Sequence, residues 1–229
     1  MTIKSLAELT LEVRERSDNE ISPTDNADPF VSDAELQNFL NNSIGDLWDL
    51  VTEANGDQRY DSEFVFNTAS NVNAYPLPAD FYRLSGVDAN IAGFTYTLYS
   101  FPWAERNRFA NLTAPGWIRG SRLYYRLRQD NLVFSPIPDG LYVVTLHYIP
   151  EPVQLTTGAD TIDFSNSWHE WLVLDSAIKV LTKEDSDSQV LMAEKSRVEN
   201  RIRNVAPRRD DANPQVVADV SRQWELWLV

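Results

Sequence analysis

The chain of 229 residues has no cysteine and only two histidines, His147 and His169. Without thiols there are no disulfide staples, thiolate metal sites, thiol nucleophiles or iron–sulfur clusters. Two imidazoles leave little for metal binding or general-base chemistry. Basic residues are also scarce. Twenty Lys and Arg stand against 34 Asp and Glu, a net charge of −14. That balance argues against general nucleic-acid binding, which needs a basic surface to displace counterions. No run approaches the roughly 20 apolar residues of a membrane helix. Residues 1–20 lack the basic start and apolar stretch of a signal peptide, so the expected compartment is a cytosol and no membrane partner is expected. Phosphate loops, dinucleotide glycine motifs, nucleophile elbows and zinc-protease helices are likewise missing.

What remains is ample for a core: 43% of residues are hydrophobic, including seven Trp. Ile3, Leu6, Leu9 and Val13 recur at helical spacing and predict a first helix over 3–16. Ser32-Asp33-Ala34-Glu35 has the form of a capping box and opens a second helix, which runs through Ala54 to a stop at Asn55-Gly56-Asp57. After residue 60 prolines, aromatics and short alternating runs take over. Phe64–Phe66, Asn73–Leu77, Phe94–Tyr99, Leu123–Leu127, Asn131–Phe134 and Leu141–Ile149 read as strands, with a short helix within Phe101–Asn111. Helices return near Ser167. Ser167-Trp168-His169-Glu170 and Ser186-Asp187-Ser188-Gln189 have the form of two further capping boxes. Trp171, Leu174, Ile178 and Leu181 form one apolar stripe; Leu191, Lys195, Val198 and Ile202 form the next.

The expected fold is therefore α+β. Residues 1–60 and 153–206 supply a small helical bundle, 61–152 an inserted all-β module of sandwich or barrel type, and 207–229 an extended C-terminal arm. The arm opens as a polar linker around Pro207-Arg208-Arg209-Asp210-Asp211. It ends in Val216, Val217, Val220, Trp224, Leu226, Trp227, Leu228 and Val229. Apolar surface of this density at a loose end is read as a partner-binding element.

Candidate chemistry is thin. His169 beside Glu170 is read as a helix-start pair, with Glu170 capping and His169 facing solvent. His147 is read as an exposed or packed strand residue. Carboxylates are plentiful, but a glycosidase pair is defined by separation in space. Catalytic, cofactor and metal residues are therefore expected to be none. Trp103, Trp117, Tyr96, Tyr99, Tyr124 and Tyr125 admit two readings, a sugar-stacking platform or ordinary packing.

Charge is unevenly spread. Residues 1–60 hold 13 acidic and 4 basic residues, a net −9, while 61–152 hold 8 and 7, a net −1. The acidic helices are either a solubilising face or a wall that repels a polyanion such as passing DNA. Arg119, Arg122, Arg126 and Arg128 cluster in the β module, where they pair with acids of a neighbouring subunit or with their own surface.

Leu77-Pro78-Ala79-Asp80-Phe81-Tyr82-Arg83-Leu84-Ser85-Gly86-Val87 resembles a segment common in head-to-tail adaptor (neck, head-completion) proteins of tailed bacteriophages. So do Leu132–Tyr142, with Ser135-Pro136-Ile137-Pro138-Asp139-Gly140 inside it, Leu146–Pro152 with Leu155, and the helix opening at Trp168-His169-Glu170-Trp171-Leu172-Val173. The resemblance spans about residues 32–205. It implies a structural virion protein of the neck, assembled in the host cytoplasm, without enzymatic activity or cofactor. The implied partners are the portal protein, tail or nozzle proteins and further copies of the chain, commonly a ring of twelve. Such a ring lines the DNA channel without specific binding, and a C-terminal arm embraces the portal. Against it stand two other readings, a carboxylate-based cell-wall (peptidoglycan) hydrolase and a carbohydrate-binding β module.

Overall fold

A computed structural model describes residues 3–18, 30–54, 60–110, 123–164 and 167–206. The chain divides into two compact units: Met1–Gly56 with Leu155–Val229, and Asp57–Gln154. The first unit opens with β1 (Ile3–Ser5), α1 (Leu6–Arg16) and α2 (Asp33–Glu53). The second carries β2 (Ser62–Asn67), β3 (Ala74–Pro76), β4 (Phe81–Ile91), β5 (Phe94–Thr97) and β6 (Tyr99–Ser100). A 3-10 turn over Trp103–Glu105 and α3 (Arg106–Ala110) follow, then β7 (Tyr124–Arg128), β8 (Asn131–Ser135) and β9 (Val143–Pro150). The chain then returns to the first unit with β10 (Thr161–Asp163), α4 (His169–Lys183) and α5 (Gln189–Val205). The α+β class expected from the pattern is the one observed.

In the helical unit α4 is the centre, packed by α1, α2 and α5. Residues 171–177 are all buried, so this helix offers no solvent face over two turns. Burial is broader than the stripe expected from spacing, because Leu172, Val173 and Ala177 are also sealed, while Ile178 and Leu181 are only half-buried. Against it α2 presents Leu36, Leu40, Ile44, Leu47 and Val51, each at most 1% exposed. Side chains of this size contribute about 1.5–3 kcal/mol apiece when removed from water. In α5 only Ile202 is fully buried; Leu191, Lys195 and Val198 are half-buried in line with it.

The first helix does not begin at Ile3. Residues 3–5 instead pair antiparallel with β10, Ile3 opposite Asp163 and Ser5 opposite Thr161. Leu6 N–H and Ala7 N–H extend the contact by donating to the carbonyls of Asp160 and Gly158. Ser5 then caps α1: its Oγ accepts from Glu8 N–H at 3.3 Å and its own N–H donates to Glu8 Oε2 at 2.8 Å. Helical spacing from Ile3 is overridden because those amides have strand partners. Ser32 and Glu35 form the expected reciprocal box on α2, which ends with Ala54 as its C-cap; the predicted stop at residues 55–57 lies outside the described residues. The other two boxes are absent. Ser167 sits at φ 62°, in the left-handed region, and α4 starts without a side-chain cap. At α5 the expected Ser186 is too far back, since Ser188 is the N-cap, and Asp187 Oδ1 accepts from Gln189 N–H instead.

The second unit holds two four-stranded sheets, ordered β2-β9-β4-β5 and β3-β8-β7-β6. All pairings are antiparallel except β6 with β7. One core cluster draws on both, with Val87, Ala89, Ile91, Val144 and Leu146 from the first sheet and Tyr75, Leu132 and Phe134 from the second. Phe66, Tyr75 and Phe134 have ring centroids 5.2–6.3 Å apart. The longest strand, β4, is not among those the alternation picks out. Its first half has two register irregularities, at Phe81/Arg83 and Leu84/Gly86, and these scramble the period of two. Ala92 and Gly93, at φ 54° and 85°, make the tight turn into β5; two adjacent left-handed residues match the twist of a hairpin.

These contrasts between caps can be measured. Ser5→Ala and Ser32→Ala should each lower the unfolding free energy by about 1 kcal/mol. Ser186→Ala should change it by less than about 0.5 kcal/mol. Urea unfolding followed by far-ultraviolet circular dichroism makes the comparison.

Candidate functional site

The most concentrated polar chemistry lies inside the helical unit. Asp175 on α4 is 5% exposed, and Ser43 on α2 and Ser176 on α4 are fully buried. Asp175 Oδ2 accepts from Ser43 Oγ at 2.6 Å and from Lys179 Nζ at 2.8 Å, and its Oδ1 accepts from Lys195 Nζ at 2.7 Å. Lys179 Nζ also donates to Ser43 Oγ at 2.9 Å and to Asp46 Oδ2 at 3.1 Å. Burial pushes the Asp175 carboxyl upward. The hydrogen bonds from Lys179, Lys195 and Ser43 outweigh it and hold the group below its ordinary value.

A serine touching a lysine invites comparison with serine–lysine hydrolases, where a neutral amine takes the hydroxyl proton. Here the amine is a donor to two carboxylates, and the hydroxyl proton is already given to Asp175. The geometry is that of a fastener joining α2, α4 and α5.

His169 differs from its expected place. It is 8% exposed, not solvent-facing, and its Nδ1 has no hydrogen-bond partner. Burial, then the nearby Lys4 charge, holds its pKa below the ordinary value. Glu170 caps nothing; its Oε1 accepts from Arg16 Nη2 at 2.6 Å. His147 lies on β9 between Glu63, 3.6 Å from Nδ1, and Asp88, 3.3 Å from Nε2. Among the described residues no group of three or more His, Asp or Glu is arranged to hold a metal. No helix among them is long and apolar enough to cross a membrane.

The acids of the first two helices are largely engaged. Glu12 pairs with Lys4, Asp33 with Arg14, Glu35 with Lys183, Asp46 with Lys179 and Glu53 with Arg203. The Lys183 hydrogen bond, with Ser32 behind it, lowers the pKa of Glu35. Still, α2 carries five acids and no base. Asp46, Asp49 and Glu53 follow one another on its exposed side and line a groove of about 270 Å³ with Trp171, Glu199 and Arg203.

The predicted basic cluster is partly in view. Arg126 and Arg128 are both exposed on β7, while Arg119 and Arg122 lie outside the described residues. Arg128 stands 4.9 Å above the Trp103 ring centroid and Arg106 5.6 Å from it. The sugar-platform set is divided. Tyr96 and Tyr125 pack against the β core, Tyr99 is 59% exposed, Trp103 is occupied by guanidinium groups, and Trp117 lies outside the described residues. The arm residues Val216, Val217, Val220, Trp224, Leu226, Trp227, Leu228 and Val229 also lie outside them.

Sequence reasoning missed the exposed apolar positions. Val190 on α5 is 71% exposed and Met192 50%, and on the β unit Phe94 and Leu141 are 67% and 73% exposed. A mismatch of Val190 with the stripe Leu191–Lys195–Val198–Ile202 is the signal that was available.

A family model described as SU10 adaptor protein matches residues 4–219. No curated protein matches the chain.

Acid titration separates the two buried groups. The folded pKa of His169 lies below its ordinary 6.5, so the unfolded chain binds the proton first. Stability should fall as pH drops below 6.5 and stop falling below the folded value. Asp175 lies below its ordinary 3.8 in the folded chain. Its contribution is complete above 3.8 and lost as pH falls through the folded value. Asp175→Asn should cost about 3 kcal/mol at neutral pH and flatten the lower window. His169→Gln should flatten the upper one. Urea titrations from about pH 8 to about pH 1, which reach past both ordinary values, check both.

Proposed function

The chain belongs to the SU10 adaptor protein family, and we propose that it is a subunit of the ring joining a phage portal to its tail. The observation that carries this reading is a family match running through both the helical and the β unit. The family is one of structural adaptors. In this reading the chain does no chemistry, and its mechanism is assembly.

Three features support it. First, the helical unit is tied across three helices by the Asp175 network, which suits a part that must transmit load without deforming. Second, apolar side chains such as Val190 and Phe94 stand in solvent, as surfaces do that are covered on assembly. Third, the net −9 of residues 1–60 suits a conduit wall, since acidic surface keeps DNA phosphates from adhering. The ring is taken to be twelve-fold, and tail or nozzle proteins meet its far side. Its place is the virion neck, after assembly in host cytoplasm.

The arm anchors the subunit. Val216, Val217, Val220, Trp224 and Leu226–Val229 would dock in the portal as aromatic and aliphatic anchors, the residue types that dominate binding energy. The family match ends at residue 219, so both arm tryptophans lie beyond it.

Removal of residues 208–229 should leave the circular dichroism spectrum and unfolding midpoint unchanged while abolishing recruitment to purified portal particles. Sedimentation of mixed samples reads this out. Normal recruitment of the shortened chain would overturn the arm's role. Absence of recruitment by the full chain would overturn the adaptor reading.

A further inference from the structure

The two units differ sharply in charge. Residues 57–154 hold 9 acidic and 8 basic residues, a net −1. The remainder holds 25 acidic and 12 basic residues, a net −13. On the β unit, Arg126 and Arg128 meet no carboxylate among the described residues, and Arg128 is stacked on Trp103, itself 37% exposed. Stacking holds a guanidinium in place without neutralising it. An exposed Trp carrying Arg106 and Arg128 over its ring, with Arg126 exposed two residues along the same strand, has the composition of an interface hot spot.

The helical unit offers the complement. The groove beside α2 is lined by Asp46, Asp49, Glu53 and Glu199, and only Lys195 and Arg203 among its lining residues are basic. Asp46 and Glu53 keep 60% and 67% of their side chains exposed despite their ion pairs. Trp171, also in the lining, is 4% exposed, and its indole Nε1 is a buried donor with no acceptor.

We propose that the Trp103–Arg126–Arg128 face of one copy docks on the Asp46–Asp49–Glu53 groove of a second copy of this chain. This rests on the ring reading above and assigns the surfaces that build the ring. Patch and groove are different surfaces, so the contact is head-to-tail and repeats from copy to copy, as ring formation requires. A second copy brings the acidic surface in equal number with the arginines. A free polyanion would instead meet a chain of net −14, which repels it at long range.

The absence of cysteine makes the contact directly testable. Full-length chain carrying both Ala104→Cys and Asp49→Cys should, on oxidation in about 0.05 M salt, give a ladder of disulfide-linked dimers, trimers and higher species. Raising salt to about 1 M, where exposed charges are screened within about 3 Å, should suppress the ladder. Each single-cysteine variant should stay monomeric. Adding Arg126→Glu and Arg128→Glu should reduce the ladder at least about tenfold, as loss of hot-spot residues does. Further addition of Asp46→Lys and Glu53→Lys should restore it.

No ladder, or one indifferent to salt and charge reversal, overturns the proposal. So does a result in which the arginine substitutions leave the ladder intact but abolish binding of a labelled DNA oligonucleotide. Recruitment to portal particles, measured on the same samples, judges the adaptor reading separately. Recruitment without a ladder removes this interface alone. A ladder without recruitment keeps the interface and removes the adaptor role.

Discussion

A carboxylate sealed among helices must be answered by cations, and the way Asp175 is answered fixes the helical unit. One lysine comes from its own helix one turn on, the other from α5, and the buried hydroxyl of Ser43 comes from α2. Three helices therefore share one set of hydrogen bonds. Sliding any of them by a residue would strand a buried charge, which costs several kcal/mol. Apolar packing alone tolerates such shifts more easily, because side chains of similar size exchange places at small cost. The network thus fixes register, while Leu36, Leu40, Ile44, Leu172 and Val173 supply the burial.

Much of this was legible from sequence where the signal is local. The Ser32–Glu35 box, the spacing of α2 and the strands β2, β8 and β9 follow from residues near one another. Ser167 and Ser186 carry the same capping signature and do not cap. At Ser167 the backbone is left-handed, so the hydroxyl is not presented to the first turn. A motif specifies which side chains are available, while the backbone path decides whether they are aimed. The strand β4 was hidden for a related reason, since its irregularities shift side chains off the alternating period that marks a strand.

His169 and Asp175 show the other limit. Both are polar residues on a helix whose apolar stripe was read as one-sided. A helix enclosed by three others has no side on which polarity is free, so its polar groups become either networked, as with Asp175, or shielded, as with His169. Nothing in local spacing distinguishes an enclosed helix from an edge one. The candidate surfaces fared similarly. Clustering of arginines was visible in sequence, whereas the stacking of Arg128 on Trp103 joins residues 25 positions apart and needs the sheet to bring them together.

The ribbon of β1 with β10 joins residues 3–5 to residues 161–163. A nascent chain emerges from the ribosome in order, so β1 waits for its partner until the whole β unit has been made. That unit is encoded within residues 57–154 and can close on itself meanwhile. The helical unit lacks its central helix, α4, until residues beyond the β unit appear. Synthesis order thus presents every residue of the inserted unit before the last elements of its host.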